Sequence, residues 1–113
     1  MEFRGLNDRD KCLKCWCELS ARIVCSPDVI PCTIISRITG ISKEVIRKIA
    51  KELEQDGYIV KGYEGGFDED SCHVYCIHGY CITDKGTELE WYKNRYKQEV
   101  EYWDNVIRGL EVM

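Results

Sequence analysis

Ile35-Ser36-Arg37-Ile38-Thr39-Gly40-Ile41-Ser42-Lys43-Glu44-Val45-Ile46-Arg47-Lys48-Ile49-Ala50-Lys51-Glu52-Leu53 is the run that decides how this chain folds. Its centre, Thr39 to Ser42, reads as a tight turn. Gly40 tolerates the positive φ of a sharp corner, and the Ser42 hydroxyl is placed to cap the next helix. Downstream, Val45, Ile46, Ile49, Ala50 and Leu53 recur at helical spacing. They predict a helix from about Ser42 to Gln55 that buries these five residues and stops at Gly57. Upstream, Pro31 to Ile38 predicts a short helix with proline at its start, where the missing N–H has no helical partner to lose.

Further out the period changes. Leu13, Trp16, Leu19 and Ile23 step by three and four, predicting a first helix from about Asp10 to Val24 that Ser26, Pro27 and Asp28 end. After Gly57 the period falls to two. Tyr58 to Tyr63 reads as a strand, Glu64 to Ser71 as a loop carrying Gly65 and Gly66, and His73 to Ile82 as a returning strand interrupted by Gly79. Thr83-Asp84-Lys85-Gly86 then opens a final helix, in which Leu89, Tyr92, Tyr96, Val100, Trp103, Ile107 and Leu110 form one apolar stripe over about twenty-five residues. The expected fold is mainly α with a small β-hairpin wing: an α+β winged helix-turn-helix with a long C-terminal helix. Residues 1–86 form its winged domain, and 87–113 the helix for packing and dimerisation.

A chain of 113 residues suits one such domain, and 44% hydrophobic with 32% charged residues excludes wholesale disorder and a membrane protein. No apolar run reaches the roughly eighteen residues of a membrane span, and MEFRGLNDRDK is too polar for a secretory signal, so the expected location is the cytoplasm. Thiols stay reduced there, and the eight cysteines are expected to be free, most of them buried as small hydrophobes. The net charge of -4 is unevenly spread. Residues 1–32 balance five basic against five acidic groups, and residues 63–113 carry five against eleven. Residues 33–62 hold Arg37, Lys43, Arg47, Lys48, Lys51 and Lys61 against only four carboxylates.

Positive charge therefore concentrates on the helix-turn-helix, where one helix braces the backbone and the next presents its polar face to base edges and phosphates. Core positions 45, 46, 49, 50 and 53 leave Ser42, Lys43, Glu44, Arg47, Lys48 and Lys51 outward, with 43, 47 and 51 aligned at steps of four. Arg47 is the candidate base reader, because a guanidinium bonds a guanine edge in two places, while lysines suit phosphates. Ser42 and the first amides of its helix suit a phosphate too. Thr33, Arg37 and Lys61 complete the candidate DNA-binding set. The alternative is a solvated helix face with no partner.

The residues Ile35 to Ser42, Val45 to Leu53, Asp56-Gly57-Tyr58-Ile59 and Ile82-Thr83-Asp84-Lys85-Gly86 resemble the winged-helix regulators of the MarR and PadR type over about residues 33–88. That resemblance implies a DNA-binding transcriptional regulator acting as a homodimer. Tyr63-Glu64-Gly65-Gly66 with Tyr75 to Tyr80 is also similar to small winged-helix proteins of Gram-positive bacteria and their phages. One departure stands out. Wings of the MarR type carry basic residues toward phosphates, whereas this one holds Glu64, Asp68, Glu69 and Asp70.

Other clusters carry less. Cys72, Cys76 and His78 lie on one side of a regular strand and are the nearest thing to a zinc site, but the spacings match no recognised finger, so no metal or cofactor is called for. Cys12 and Cys15 share a helix face from which Cys17 points away. No enclosed pocket for catalysis is expected in a two-stranded wing, and no enzyme is read here. Trp91, Tyr92, Tyr96, Tyr102 and Trp103 sit among carboxylates, which suits a hydrophobic seam better than a base-stacking platform. Part of it is expected to cover helix one and the remainder, reaching Ile107 and Leu110, to pair with the same helix of a second subunit. The expected partners are double-stranded DNA and a second copy of the chain, with no membrane. The rival is an interaction module whose acidic wing binds protein and not DNA.

Overall fold

The computed structural model describes residues 1–24 and 28–112. They form a mixed α+β fold of five helices and one antiparallel hairpin: α1 (Asp8–Ser20), α2 (Cys32–Thr39), α3 (Lys43–Gln55), β1 (Ile59–Asp68), β2 (His73–Ile82), α4 (Asp84–Thr87) and α5 (Glu90–Val112).

Helix α1 starts where Asn7 Oδ1 accepts the Asp10 N–H at 2.8 Å, a side-chain cap that satisfies one orphan donor of the first turn. It ends at Ser20, short of the expected Val24, and Ile23 lies beyond it in a half-exposed position. The chain leaves the helix to deliver Val29 and Ile30 to the hairpin, where Ile30 and Tyr80 exchange two backbone hydrogen bonds of 2.9 and 3.0 Å. Ser26 and Pro27, expected to end the helix, lie outside the described residues. Neighbours cover α1 on several sides: α2, α3, β2 and α5 all touch it. That is why Cys17, expected to point away, is as buried as Cys12 and Cys15, and its Sγ reaches the Gly86 carbonyl at 3.8 Å. Trp16 fills the centre, its ring edge-on to Tyr80 with centroids 5.8 Å apart and its Nε1 donating to the Ile30 carbonyl at 3.4 Å.

The α2–α3 corner follows the sequence closely. Gly40 takes φ 77°, a left-handed conformation costly for any residue with a Cβ, and Ser42 Oγ accepts the Val45 N–H at 3.4 Å. Ser36 Oγ donates to the Ile41 carbonyl at 2.6 Å, tying the corner back onto α2. Ile46, Ile49, Ala50 and Leu53 are buried, but Val45, expected among them, is exposed. It lies about 100° around the helix from Ile46, on the flank of the apolar face. Past α3, the Gly57 and Tyr58 N–H groups donate back to the Glu54 and Leu53 carbonyls, turning the chain into β1.

The hairpin is longer than expected. Its strands pair residue for residue from Ile59–Ile82 to Asp68–His73, so Glu64 to Asp68, expected in a loop, continue the ladder and only residues 69–72 connect it. Gly66 does not break the ladder, because the ring of Tyr75, paired opposite it, covers the space a side chain would take. Gly79 does not interrupt β2 either. A Cβ there would lie 2.5 Å from the Ile30 carbonyl oxygen, so glycine is what lets residue 30 approach the strand.

The expected single final helix is two. Thr83 Oγ1 accepts the Gly86 N–H at 3.2 Å and caps the one-turn α4, after which α5 begins at Glu90. Leu89, Trp91 and Tyr92 pack on the core, whereas Tyr96, Ile107 and Leu110 are exposed. Among the described residues, no helix is long and apolar enough to cross a membrane.

Candidate functional site

Arg37, Ser42, Lys43, Glu44, Arg47, Lys48, Lys51 and Lys61 are all exposed, and Thr33 is half-buried. Lys43, Arg47 and Lys51 recur one turn apart on α3, beside the face on which Ile46, Ile49, Ala50 and Leu53 are buried. Among the described residues, none of these cations takes part in an ion pair. The ion pairs lie elsewhere, as in Arg9–Asp56 at 2.6 Å and Arg95–Glu99 at 2.8 Å.

Three of the candidates meet. Thr33 at the start of α2, Arg47 on α3 and Lys61 on β1 line a groove of about 380 Å³ together with His78 and Tyr80 of β2. Arg37, Lys43, Glu44, Lys48 and Lys51 do not line it. Burial pushes the Cys32 thiol in this groove above its ordinary value, while the Arg47 guanidinium pulls it back down. Burial likewise raises the Tyr80 hydroxyl, with Cys32 and the Glu54 carboxylate adding to the effect. Sequence reasoning weighed His78 only as a metal ligand. Strand parity puts His78 and Tyr80 on one face of β2, across from Tyr63 and Lys61, but does not say which element that face meets.

The hairpin's far end has another character. Tyr63, Phe67 and Val74 share a face and are exposed, Val74 at 82%, next to Glu69 and Asp70 in the connection. Cys76 Sγ lies 3.1 Å from His78 Nε2. Cys72 does not join them, because it sits in the connection with φ 56° and its Sγ turned to the Glu69 carbonyl at 3.8 Å. Among the described residues, no group of three or more His, Cys, Asp or Glu side chains is placed to hold a metal ion. The described cysteines are free thiols; Cys12, Cys15 and Cys17 are pushed up to about 12, chiefly by burial.

No protein-family model and no curated protein sequence matches this chain.

A second cavity, of about 480 Å³, lies beside α5 and is lined by Arg22, Arg95, Glu99, Tyr102 and Trp103. Here the Arg95 charge is already answered. Glu99 accepts from Arg95 Nη2 at 2.8 Å through one oxygen and from Trp103 Nε1 at 3.2 Å through the other. The groove at Arg47 and Lys61, by contrast, gathers cations from separate elements without a carboxylate in its lining.

Proposed function

We propose that the chain is a dimeric winged helix-turn-helix regulator that reads double-stranded DNA with α3 in the major groove. The observation that carries this reading is the exposed row Lys43, Arg47 and Lys51, backed by Lys48 and free of ion pairs among the described residues. A helix so divided buries its apolar side and offers a cationic one about as wide as the major groove admits. Arg47 reads a base edge, the lysines hold phosphates, and Ser42 orients the first amides of α3 toward the backbone. The order of helices and hairpin agrees with the resemblance to MarR and PadR regulators. For the dimer, the support is the stripe Tyr96, Ile107 and Leu110, which α5 leaves exposed. To read two half-sites one turn of DNA apart, that pairing has to set two α3 helices roughly 34 Å from each other.

Titrating duplex DNA at rising salt tests this. The wild-type chain binds at low salt and loses affinity steeply as salt increases, while Lys43→Glu with Arg47→Glu abolishes binding to any duplex yet keeps the wild-type circular dichroism. Failure of the wild-type chain to bind at low salt would falsify the reading. The hairpin end then favours the second one, in which Tyr63, Phe67 and Val74 with the neighbouring carboxylates form a protein-binding surface.

A further inference from the structure

A hairpin with an acidic end conflicts with a DNA-binding role unless some other part of it meets the duplex. The groove at its base supplies that part. Lys61 of β1 supplies its cation, Thr33 of α2 a hydroxyl and His78 of β2 a ring nitrogen, while Arg47 of α3, whose guanidinium is assigned above to a base edge, also lines it. His78 Nε2 lies 3.1 Å from Cys76 Sγ, and Nδ1 is the donor in the tautomer whose Nε2 accepts. The groove also lies at the start of α2, where the N–H groups of Cys32 and Thr33 have no partner within the helix and the capping residue, Pro31, contributes no side-chain bond. Gly62 and Gly79, paired across the strands, line the groove without side chains. The Glu54 carboxylate, which accepts the Lys61 backbone N–H at 3.4 Å, is not part of the lining. A cation and hydrogen-bond donors from three elements around one opening are the chemistry that recognises a phosphate.

Resting on the DNA reading above, we propose that this groove seats one phosphate of the nucleic-acid backbone, so that the hairpin meets the duplex with its base and holds its acidic end away. The distances allow this. From Lys61 to Asp68 a strand runs about 23 Å, nearly three Debye lengths at physiological ionic strength, so repulsion from Glu69 and Asp70 is screened at the seat. Glu64 is nearer, about 10 Å from Lys61 along β1, but on the other face of the strand. The hairpin's carboxylates therefore cost the complex little, and the cation at the base sets the register of α3 on the backbone.

Two titrations of the full chain test the seat independently of the DNA reading. In the first, inorganic phosphate is added at constant ionic strength while the backbone amides of Cys32 and Thr33 are followed by NMR. The wild-type protein shows saturable shifts at both amides, and Lys61→Gln and His78→Gln each weaken them about tenfold. In the second, a random-sequence duplex is titrated against salt. Lys61→Gln lowers the salt slope by about 1, whereas Lys14→Gln, on α1 and outside the groove, leaves it unchanged. If phosphate moves neither amide and the slope of Lys61→Gln equals wild type, the seat is wrong and the α3 reading stands. If phosphate binds at these amides but the duplex does not bind at low salt, the groove takes free phosphate, and both the backbone assignment and the DNA reading fall.

Discussion

Helix α1 is buried from Cys12 to Leu19, whereas α5 rests its first turns on the body through Trp91 and Tyr92 and carries Tyr96, Ile107 and Leu110 into solvent. Both read as helices with one apolar stripe. The difference lies in their neighbours: α1 runs between α2, α3, β2 and α5, while α5 packs mainly on α1. A stripe thus tells which side of a helix seeks company but not whether the same chain provides it.

The sharpest way to test that contrast is to empty the middle of α1. Trp16→Ala removes a fully buried ring and its hydrogen bond to Ile30, and should cost about 3–5 kcal/mol, read as the loss in urea unfolding free energy. Next comes alkali. Cys12, Cys15 and Cys17 keep their protons in the folded chain up to about 12, but ionise from 9.0 upward once unfolded. Between those values the unfolded state binds fewer protons, so stability should fall as pH rises from about 9 toward 12, by up to about 1.4 kcal/mol per pH unit for each thiol. A flat stability profile over that range would show that the thiols are not sequestered. Smaller again is the loss of the α1 cap: Asn7→Ala should lower stability by about 1 kcal/mol in the same urea assay. The smallest effect on folding belongs to α5. Leu110→Asp should change the stability of dilute protein by less than about 0.5 kcal/mol, while light scattering at high concentration should show the dimer lost. Should Leu110→Asp unfold the chain as Trp16→Ala does, α5 is core and the contrast disappears.

How much of this was legible beforehand varies with the range of the interactions. The corner at Gly40 and Ser42, the start of α2 after Pro31 and the face of Ile46, Ile49 and Leu53 follow from local chemistry, and they are where expected. The cationic row on α3 was legible for the same reason, since burying one face of a helix fixes what the other shows. The hairpin was read too short because Gly65 and Gly66 look like a loop until Tyr75 is known to cover one of them from the opposite strand. His78 escaped notice as a groove residue because its place beside Arg47 depends on how the hairpin lies against α3 through β1, a long-range matter that periodicity does not report.

By itself, then, the sequence determined helices α2 and α3, the Ser42 cap between them and the side of α3 that carries charge, because these rest on bonds and spacings within a few residues. Only the tertiary structure decided that Cys17 is enclosed, that Ile30 closes onto Gly79, and that Thr33, Arg47, Lys61 and His78 share one groove. Those outcomes depend on which surfaces distant segments bury together, and burial is settled by the packing of the whole chain at once.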